Sequence, residues 1–535
     1  MGDFGAYSLL PPLVAIILAI ATRRVILPLA AGVFVGACLL ATRHDDMPWL
    51  LPIELFVQSI VTSIASKSHL QALAFSLLLG AMVGVLEYGG AMKSLIAGIS
   101  HRIRSRSGAQ TMIALSGLAI FFDDYANTLL VGGTMRGTAD RYRISREKLA
   151  YLVDSTAAPV AGLSIVSTWA AIEISYMAEG LHAGGIEDTS AAFEMFIQSI
   201  PYRFYPWLAL VMVFATAISG RDFGPMATAE ANAITSAPVA DANAGEQDES
   251  AESHGRWQWL AAVMPVVACI ASVGVVLVVT GMREVGTPSA EMGYLRLAGE
   301  VLGNGDSYLA LIIGGAVGLG VSVAGHLAFD LCSFTTIVDG IARGAWQMMP
   351  AMLILWFAWA LSAMTDRDAL DTGGYLASVL SERLDPRMLP TVVFVIAGAI
   401  AFATGTSWGT MAILTPLSIA LALGLDPVSD HGGGPAGAIA LATCGSVLAG
   451  AIFGDHCSPI SDTTVLSSRA SGCDHVGHVR TQMPYALSVA VICVATGTIP
   501  AAIGLSPWIS LVIGSTLIVF VVRTLGRPAI ASNKN

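Results

Sequence analysis

Five aspartates sit inside or at the edge of apolar stretches, each among hydroxyl and amide side chains. Asp123 and Asp124 lead into Asn127 and Thr128, and Asp154 precedes Ser155 and Thr156. Asp455 opens Asp455-His456-Cys457-Ser458-Pro459-Ile460-Ser461-Asp462-Thr463-Thr464. A further knot, Thr404-Gly405-Thr406-Ser407-Trp408-Gly409, has the hydroxyls without the acid. Carboxylates backed by neutral oxygens are hard ligands, suited to Na⁺, Li⁺ or H⁺ rather than to soft metals. Burial penalises the charged carboxylate, so one acid can take either a proton or a cation. Competition of H⁺ and Na⁺ for one carboxylate is the minimal chemistry of an exchanger. The bland alternative is that one or two of these acids only cap helices.

The elements that must position these groups are membrane helices. Of 535 residues, 55% are apolar and 12% charged, about half the charged fraction of a soluble domain. Mean hydropathy is +0.70. These values exclude a nucleic-acid binder, a secreted disulfide scaffold and a disordered chain. Seven cysteines without a CxxC pair imply no disulfide framework. The N-terminus lacks the basic start and cleavage site of a signal peptide, so its first apolar stretch is expected to be retained.

An acidic polar linker, 220–256, holds seven acids against two arginines and reads as a mobile loop. It separates a first half, 1–219, from a second, 257–535. The halves share an order of features. A hairpin is expected at about 110–135 with a broken helix at about 151–178, and again at about 389–425 and about 435–468. Matching interruptions in two halves mark a transporter built from repeats. Arg102, Arg104 and Arg106 before the first knot, and Arg136, Arg141, Arg143, Arg146 and Lys148 after it, make both loops cytoplasmic by the positive-inside rule. The segment between them is then a re-entrant hairpin. The second hairpin is followed by Asp426, Asp430 and His431, which fits insertion from the other face. The fold class expected is an all-α polytopic membrane protein with two inverted repeats, each with a re-entrant hairpin and a broken helix.

Phe121–Gly132, Val153–Gly162 and Phe453–Thr464 resemble signatures of NhaC-type Na⁺/H⁺ antiporters, members of an ion-transporter superfamily. The likeness extends over roughly residues 8 to 520 and departs at Met135-Arg136-Gly137, where proline is expected after the arginine. The resemblance implies a scaffold plus a transport domain and elevator-type alternating access. It also implies that Asp123, Asp124, Asn127, Thr128, Asp154, Ser155, Thr156, Thr406, Ser407, Asp455, His456, Ser458, Asp462, Thr463 and Thr464 line the ion and substrate site. Na⁺ is expected at Asp123, Asn127, Asp154, Asp455 and Asp462. Members of the family also exchange malate for lactate or carry amino acids, so the motifs identify a transporter better than its substrate.

The expected function is therefore Na⁺ (or Li⁺) against H⁺ exchange at the plasma (inner) membrane. The alternative is an ion-coupled carrier of a small carboxylate or amino acid. No enzyme activity and no cofactor are expected, with Na⁺ and H⁺ as transported or coupling ions. Expected partners are the lipid bilayer, a small cation or organic solute and, as one option, a second copy in a homodimer, but no nucleic acid. Gly405-Thr406-Ser407-Trp408-Gly409 fits a serine-hydrolase pattern, yet it lies between apolar helices rather than after a strand. Cys473, His475 and His478 lack the fourth ligand of a closed zinc site. His456 is expected to hydrogen-bond Asp455 or Asp462.

Overall fold

Hydrocarbon offers backbone amides no partner, so each segment that crosses it must close its own hydrogen bonds. The computed structural model of this protein describes residues 4–22, 24–43, 49–92, 94–95, 103–186, 190–235, 258–285, 301, 305–366, 368–380, 385–425 and 437–528. Arg102, most of the linker, and Asp426, Asp430 and His431 lie outside the described residues. Within them the strands are a two-residue pair, Arg221–Asp222 against Arg527–Pro528, and the rest of the regular structure is helical. Nine of the described helices are long and apolar enough to cross a membrane, ten if the bent pair Ala191–Tyr202 and Phe204–Ser219 is one span. The protein is all-helical and multi-pass.

The helices form two sets that exchange partners. In the scaffold, Leu51–Ala65 packs on Met349–Thr365 while Lys67–Tyr88 packs on Phe334–Gln347. Likewise Ile26–Ala41 lies against Met349–Thr365 as Ser307–Ala328 lies against Lys67–Tyr88. Reciprocal pairing of this kind is what a pseudo-twofold between inverted repeats produces. At one crossing, Gly80 and Gly84 face Gly340 and Gly344. A Cβ on Gly84 would come 2.1 Å from the Gly340 carbonyl oxygen, and one on Gly344 would come 2.1 Å from that of Gly80. Small residues matter here because helix association in lipid depends on close packing rather than on escape from water. Gly84→Val therefore forces the two backbones apart, with an expected loss of about 1–3 kcal/mol and a lower Tm in detergent. An unchanged Tm in both Gly84→Val and Gly344→Val would show that the crossing does not hold the scaffold.

The second body contains the interrupted elements. The first hairpin has arms Arg106–Ala119 and Asp124–Thr134, and the first broken helix has halves Arg146–Ala161 and Ala170–Ala183. Their counterparts are Leu389–Thr404 with Ser407–Leu425, and Ala438–Cys457 with Asp462–Ser471. At 1.5 Å per residue the first hairpin's arms reach about 21 and 17 Å, short of a core of about 30 Å. The second hairpin is longer than the re-entrant form expected: Pro386–Thr404, which contains its first arm, and its second arm Ser407–Leu425 each have the length and hydropathy of a span. Each first arm packs on the first half of its own repeat's broken helix. Each second arm packs on the other repeat's second half: Asp124–Thr134 on Asp462–Ser471, and Ser407–Leu425 on Ala170–Ala183.

The start of the linker departs from the expected loop. Gly224–Thr235 is a helix, and its Met226 and Glu230 are buried one turn apart. Glu230 accepts hydrogen bonds from Arg106, from Gln110 Nε2 at 2.9 Å and from the Ser145 amide at 2.7 Å. Burial pushes its carboxyl above the ordinary value, and the Arg106 guanidinium beside it pulls the other way. Asp222 pairs with buried Lys148 at 2.7 Å and accepts from the Tyr485 hydroxyl at 2.6 Å. A two-residue buried face is too small to register in the polar average of the whole linker.

Candidate functional site

The first knot is a helix start built by its own side chains. Asp123 takes an extended backbone and caps Asp124–Thr134, its Oδ1 accepting from the Ala126 amide at 2.7 Å. Its Oδ2 accepts from Thr168 Oγ1 at 3.1 Å, and the Thr168 amide donates to the Phe122 carbonyl at 2.8 Å. Asn127 Nδ2 faces three carbonyls around the break: Gly117 at 2.7 Å, Ile120 at 3.1 Å and, from the neighbouring helix, Thr156 at 3.1 Å. Thr128 Oγ1 returns to the Asp124 carbonyl. Asp124 differs from these. It is 1% exposed, and neither carboxylate oxygen has a hydrogen-bond partner; nor does Asn127 Oδ1.

In the broken helices, both acids of the repeat-equivalent pair are buried, and the second repeat wraps them in hydroxyls. Asp455 accepts from Ser461 Oγ at 2.8 Å and from Thr463 Oγ1 at 2.5 Å. Ser461 also caps Asp462–Ser471, and Ser458 donates to the Phe402 carbonyl at 2.8 Å, pinning the break to the second hairpin. Asp154 Oδ2 accepts from Gln482 Nε2 at 2.6 Å and from Thr464 Oγ1 at 3.4 Å, with His478 Nε2 at 3.4 Å. Its Oδ1 has no partner. Thr464 also reaches the Asp455 carbonyl at 3.3 Å, so it bridges the acids of the two repeats. Asp462 stands at the exposed first turn of its half-helix.

The second hairpin's tip closes over this seam. Gly405 ends the first arm at φ +72°, and a Cβ there would sit 2.6 Å from the Ile460 carbonyl oxygen. Only glycine serves a left-handed position that tight. Thr406 Oγ1 accepts from the Gly409 amide at 3.4 Å, capping the second arm, and Ser407 is buried beside it. Trp408 lies on Trp169 with ring centroids 4.9 Å apart, so the tip of repeat 2 meets the break of repeat 1.

The expected residues thus converge on one seam, but in different capacities. Among the described residues no three His, Cys, Asp or Glu side chains are grouped closely enough to hold a metal ion. Asp123 and Asp455 spend both oxygens on hydroxyl and amide donors, whereas Asp124 and Asp154 keep acceptor atoms free. Thr156 Oγ1 turns back to the Leu152 carbonyl, and its side chain fills the space beside Gly117; Ser155 is buried next to it. His456 is bound not to Asp455 or Asp462 but to the Tyr205 hydroxyl at 3.1 Å through Nδ1. It points that way because its helix ends with Asp455 facing the Ser461 cap. Gln482 escaped the sequence reading. It lies outside both repeats' motifs, yet its amide joins Asp154 to the His456 carbonyl at 3.0 Å. The one available signal was an amide inside an apolar helix. Arg136, where the motif departs from its expected form, donates to the Ala470 carbonyl at 2.6 Å and the Arg469 carbonyl at 2.5 Å, capping the half-helix that starts at Asp462.

A model of the Na⁺/H⁺ antiporter family matches residues 160–498. This chain belongs to that family. The antiporter-family chain is 32% identical over 496 residues to an uncharacterised protein of Haemophilus influenzae, with 91% of this chain and 90% of that one covered. A more local match, 33% identical over 159 residues, joins it to a malate-2H⁺/Na⁺-lactate antiporter of Bacillus subtilis and covers 29% of this chain and 30% of that one. In fold, it matches the YdaH transporter of Alcanivorax borkumensis with a TM-score of 0.58 at 15% identity, covering 93% of this chain and 99% of the other. The family, the multi-pass architecture and the fold together make this chain a membrane transporter of small ions or solutes.

Proposed function

We propose that the protein exchanges Na⁺ (or Li⁺) for H⁺ across the plasma membrane. The hairpins and broken helices would move as one body against the scaffold to expose the seam to either side in turn. The observation that carries this reading is the sign of the seam. Asp123, Asp124, Asp154, Asp455 and Asp462 contribute five carboxylates, and no lysine or arginine side chain among the described residues pairs with any of them. The buried cations are committed elsewhere, Lys148 to Asp222 and Arg203 to Glu173. Unpaired carboxylates at membrane depth are costly unless each takes up a proton or a cation. Such a site is occupied by one or the other in each conformation, which couples the two flows.

In this scheme Asp124, Asn127 Oδ1 and Asp154 Oδ1 offer the free oxygens. Asp123, Asp455, Thr463 and Thr464 hold the two breaks in shape, and Asp462 stands at the approach. The Bacillus relative's name pairs both Na⁺ and H⁺ with organic acids. An organic anion entering this seam would meet five carboxylates and, among the described residues, no lysine or arginine partner, only His478 beside Asp154, so a bare cation is the better cargo.

The test is dissipation of a pH gradient in proteoliposomes on addition of Na⁺, Li⁺ or K⁺, with and without a panel of dicarboxylates and amino acids. Saturable dissipation by Na⁺ or Li⁺ alone is the expected result. A response that requires an organic solute would reassign the protein as a metabolite carrier.

A further inference from the structure

The repeat-equivalent acids are held in opposite ways. Asp455 takes its hydroxyl donors, Ser461 and Thr463, from its own repeat, and both of its oxygens are used. Asp154 takes its side-chain donors from the second half of the chain, and among the described residues all of them fall on one oxygen. Gln482 Nε2 lies 2.6 Å from Oδ2, with Thr464 Oγ1 and His478 Nε2 each at 3.4 Å. The two longer contacts lie beyond the usual range of such bonds, so the amide is what fixes Oδ2. The same nitrogen donates to the His456 carbonyl at 3.0 Å, which commits both N–H groups of the amide. His478 and Gln482 stand one turn apart on the helix His475–Ile492, which supplies no arm of a hairpin and no half of a broken helix; both are buried. Asp154 Oδ1 is buried and accepts from nothing.

A carboxylate ligates a cation through one oxygen or through two. Two-oxygen ligation belongs to larger ions with adaptable shells, as at Ca²⁺ sites, whereas smaller ions such as Mg²⁺ require a compact and rigid set of single oxygens. We propose that Gln482 sets the cation selectivity of the seam: by holding Asp154 Oδ2 it leaves the acid only Oδ1 to offer, and one-oxygen ligation favours Li⁺ and Na⁺ over K⁺. The proposal rests on the reading above, in which a cation binds at Asp154. Gln482 is a positioning residue in this scheme, because it acts through Asp154. Its bond to the His456 carbonyl ties the same amide to the end of the helix Ala438–Cys457, so the aim of the first repeat's acid depends on the geometry of the second repeat's break. A carboxylate released by Gln482 can turn and close on a cation with both oxygens, which admits the larger ion.

Gln482→Met removes the amide and keeps the length and volume of the side chain. Binding of Na⁺, Li⁺ and K⁺ to the purified protein, followed by isothermal titration, reads selectivity without transport, and pH-gradient dissipation in proteoliposomes compares the same ions in flux. The wild type is expected to prefer Na⁺ to K⁺. In Gln482→Met the Na⁺ affinity should fall about tenfold or more, as it does when the support of a metal ligand is removed, while K⁺ affinity changes little, so the Na⁺/K⁺ ratio falls by that factor. Structural damage alone would lower the Tm and the amount of active protein and leave the ratio where it was. Gln482→Asn, whose amide is one carbon short of Asp154, keeps a polar group at the position and should shift the ratio the same way, which preserves the test if the methionine variant does not fold. An unchanged Na⁺/K⁺ ratio in a folded variant would overturn the role of Gln482 and leave Na⁺/H⁺ exchange standing. The expected shift in binding, with proton movement only when an organic solute is present, would keep that role and overturn the exchange. A wild type that binds none of the three ions would overturn both.

Discussion

Asp124→Asn abolishes Na⁺-dependent exchange and leaves the protein folded. The carboxylate is buried and neither oxygen makes a hydrogen bond of normal geometry, the Trp169 indole N–H being the side-chain donor that influences it most, so little of the fold depends on its charge. Asparagine has the same shape, and removing an unpaired charge from low dielectric costs the fold nothing. In the proposed scheme the cation then loses a full ligand charge. Changing only a residue that supports a ligand typically costs 10–100-fold in metal affinity, so losing the ligand charge itself should exceed about a hundredfold. Asp123→Asn, one residue earlier, is the control: the amide oxygen still caps the helix at Ala126, and the amide nitrogen can donate to Thr168 Oγ1, so its effect should be the smaller. The measurement is the Na⁺ dependence of pH-gradient dissipation beside a Tm for each variant. Wild-type Na⁺ dependence in Asp124→Asn would remove this residue from the site.

Arg203→Met should be the most destabilising single change among the buried charges. Arg203 is fully buried, its Nη1 lies 2.8 Å from Glu173 Oε2 and also donates to the Gly162 carbonyl, and Nη2 donates to Ser199 Oγ at 3.2 Å. The guanidinium lies over the Phe196 ring at 4.7 Å. Removing it strands Glu173, which is 1% exposed, and frees the carbonyl of Gly162, which caps the first half of the first broken helix. Breaking a buried pair from one side costs about 3–5 kcal/mol, mostly through the charge left behind. The double variant Arg203→Met/Glu173→Gln should therefore recover most of the lost Tm. If the double variant melts no higher than the single one, the pair is not what holds this junction.

Three of the four interruptions could be read from sequence because each is announced by residues that cannot continue a helix or that cap the next one: Asp123, Gly405, and Pro459 with Ser461. The fourth falls between Ala161 and Ala170, whereas the polar stretch Asp154–Pro159, its expected mark, lies inside the unbroken helix Arg146–Ala161. What the sequence hid is partnership. Asp123 and Asp124 are adjacent and chemically alike, yet one spends its oxygens on Ala126 and Thr168 and the other spends none. That difference is set by backbone direction at the break. Arg203 stands between two apolar runs and reads as a loop charge until Glu173, thirty residues earlier, is seen beside it. His456 lies next to Asp455 in the chain but turns to Tyr205. Gln482 acquires its place only when Asp154 and the end of the Ala438–Cys457 helix are brought to the same point, and no local pattern encodes that meeting. The family resemblance pointed to these residues; the structure shows which of them hydrogen-bond to which.

Because each hairpin's second arm rests on the opposite repeat, the order of synthesis matters. Arg136 waits for the Ala470 carbonyl, 334 residues further along the chain. At 5–20 residues per second that interval is roughly 17 to 67 s. Throughout it, Asp154 lacks Thr464 and Gln482, and the polar half-helix that should cover Asp124–Thr134 does not yet exist. The first half therefore enters the bilayer with an uncovered polar flank, and the newborn chain depends on water, lipid headgroups or the insertion machinery to shelter it until the second half arrives.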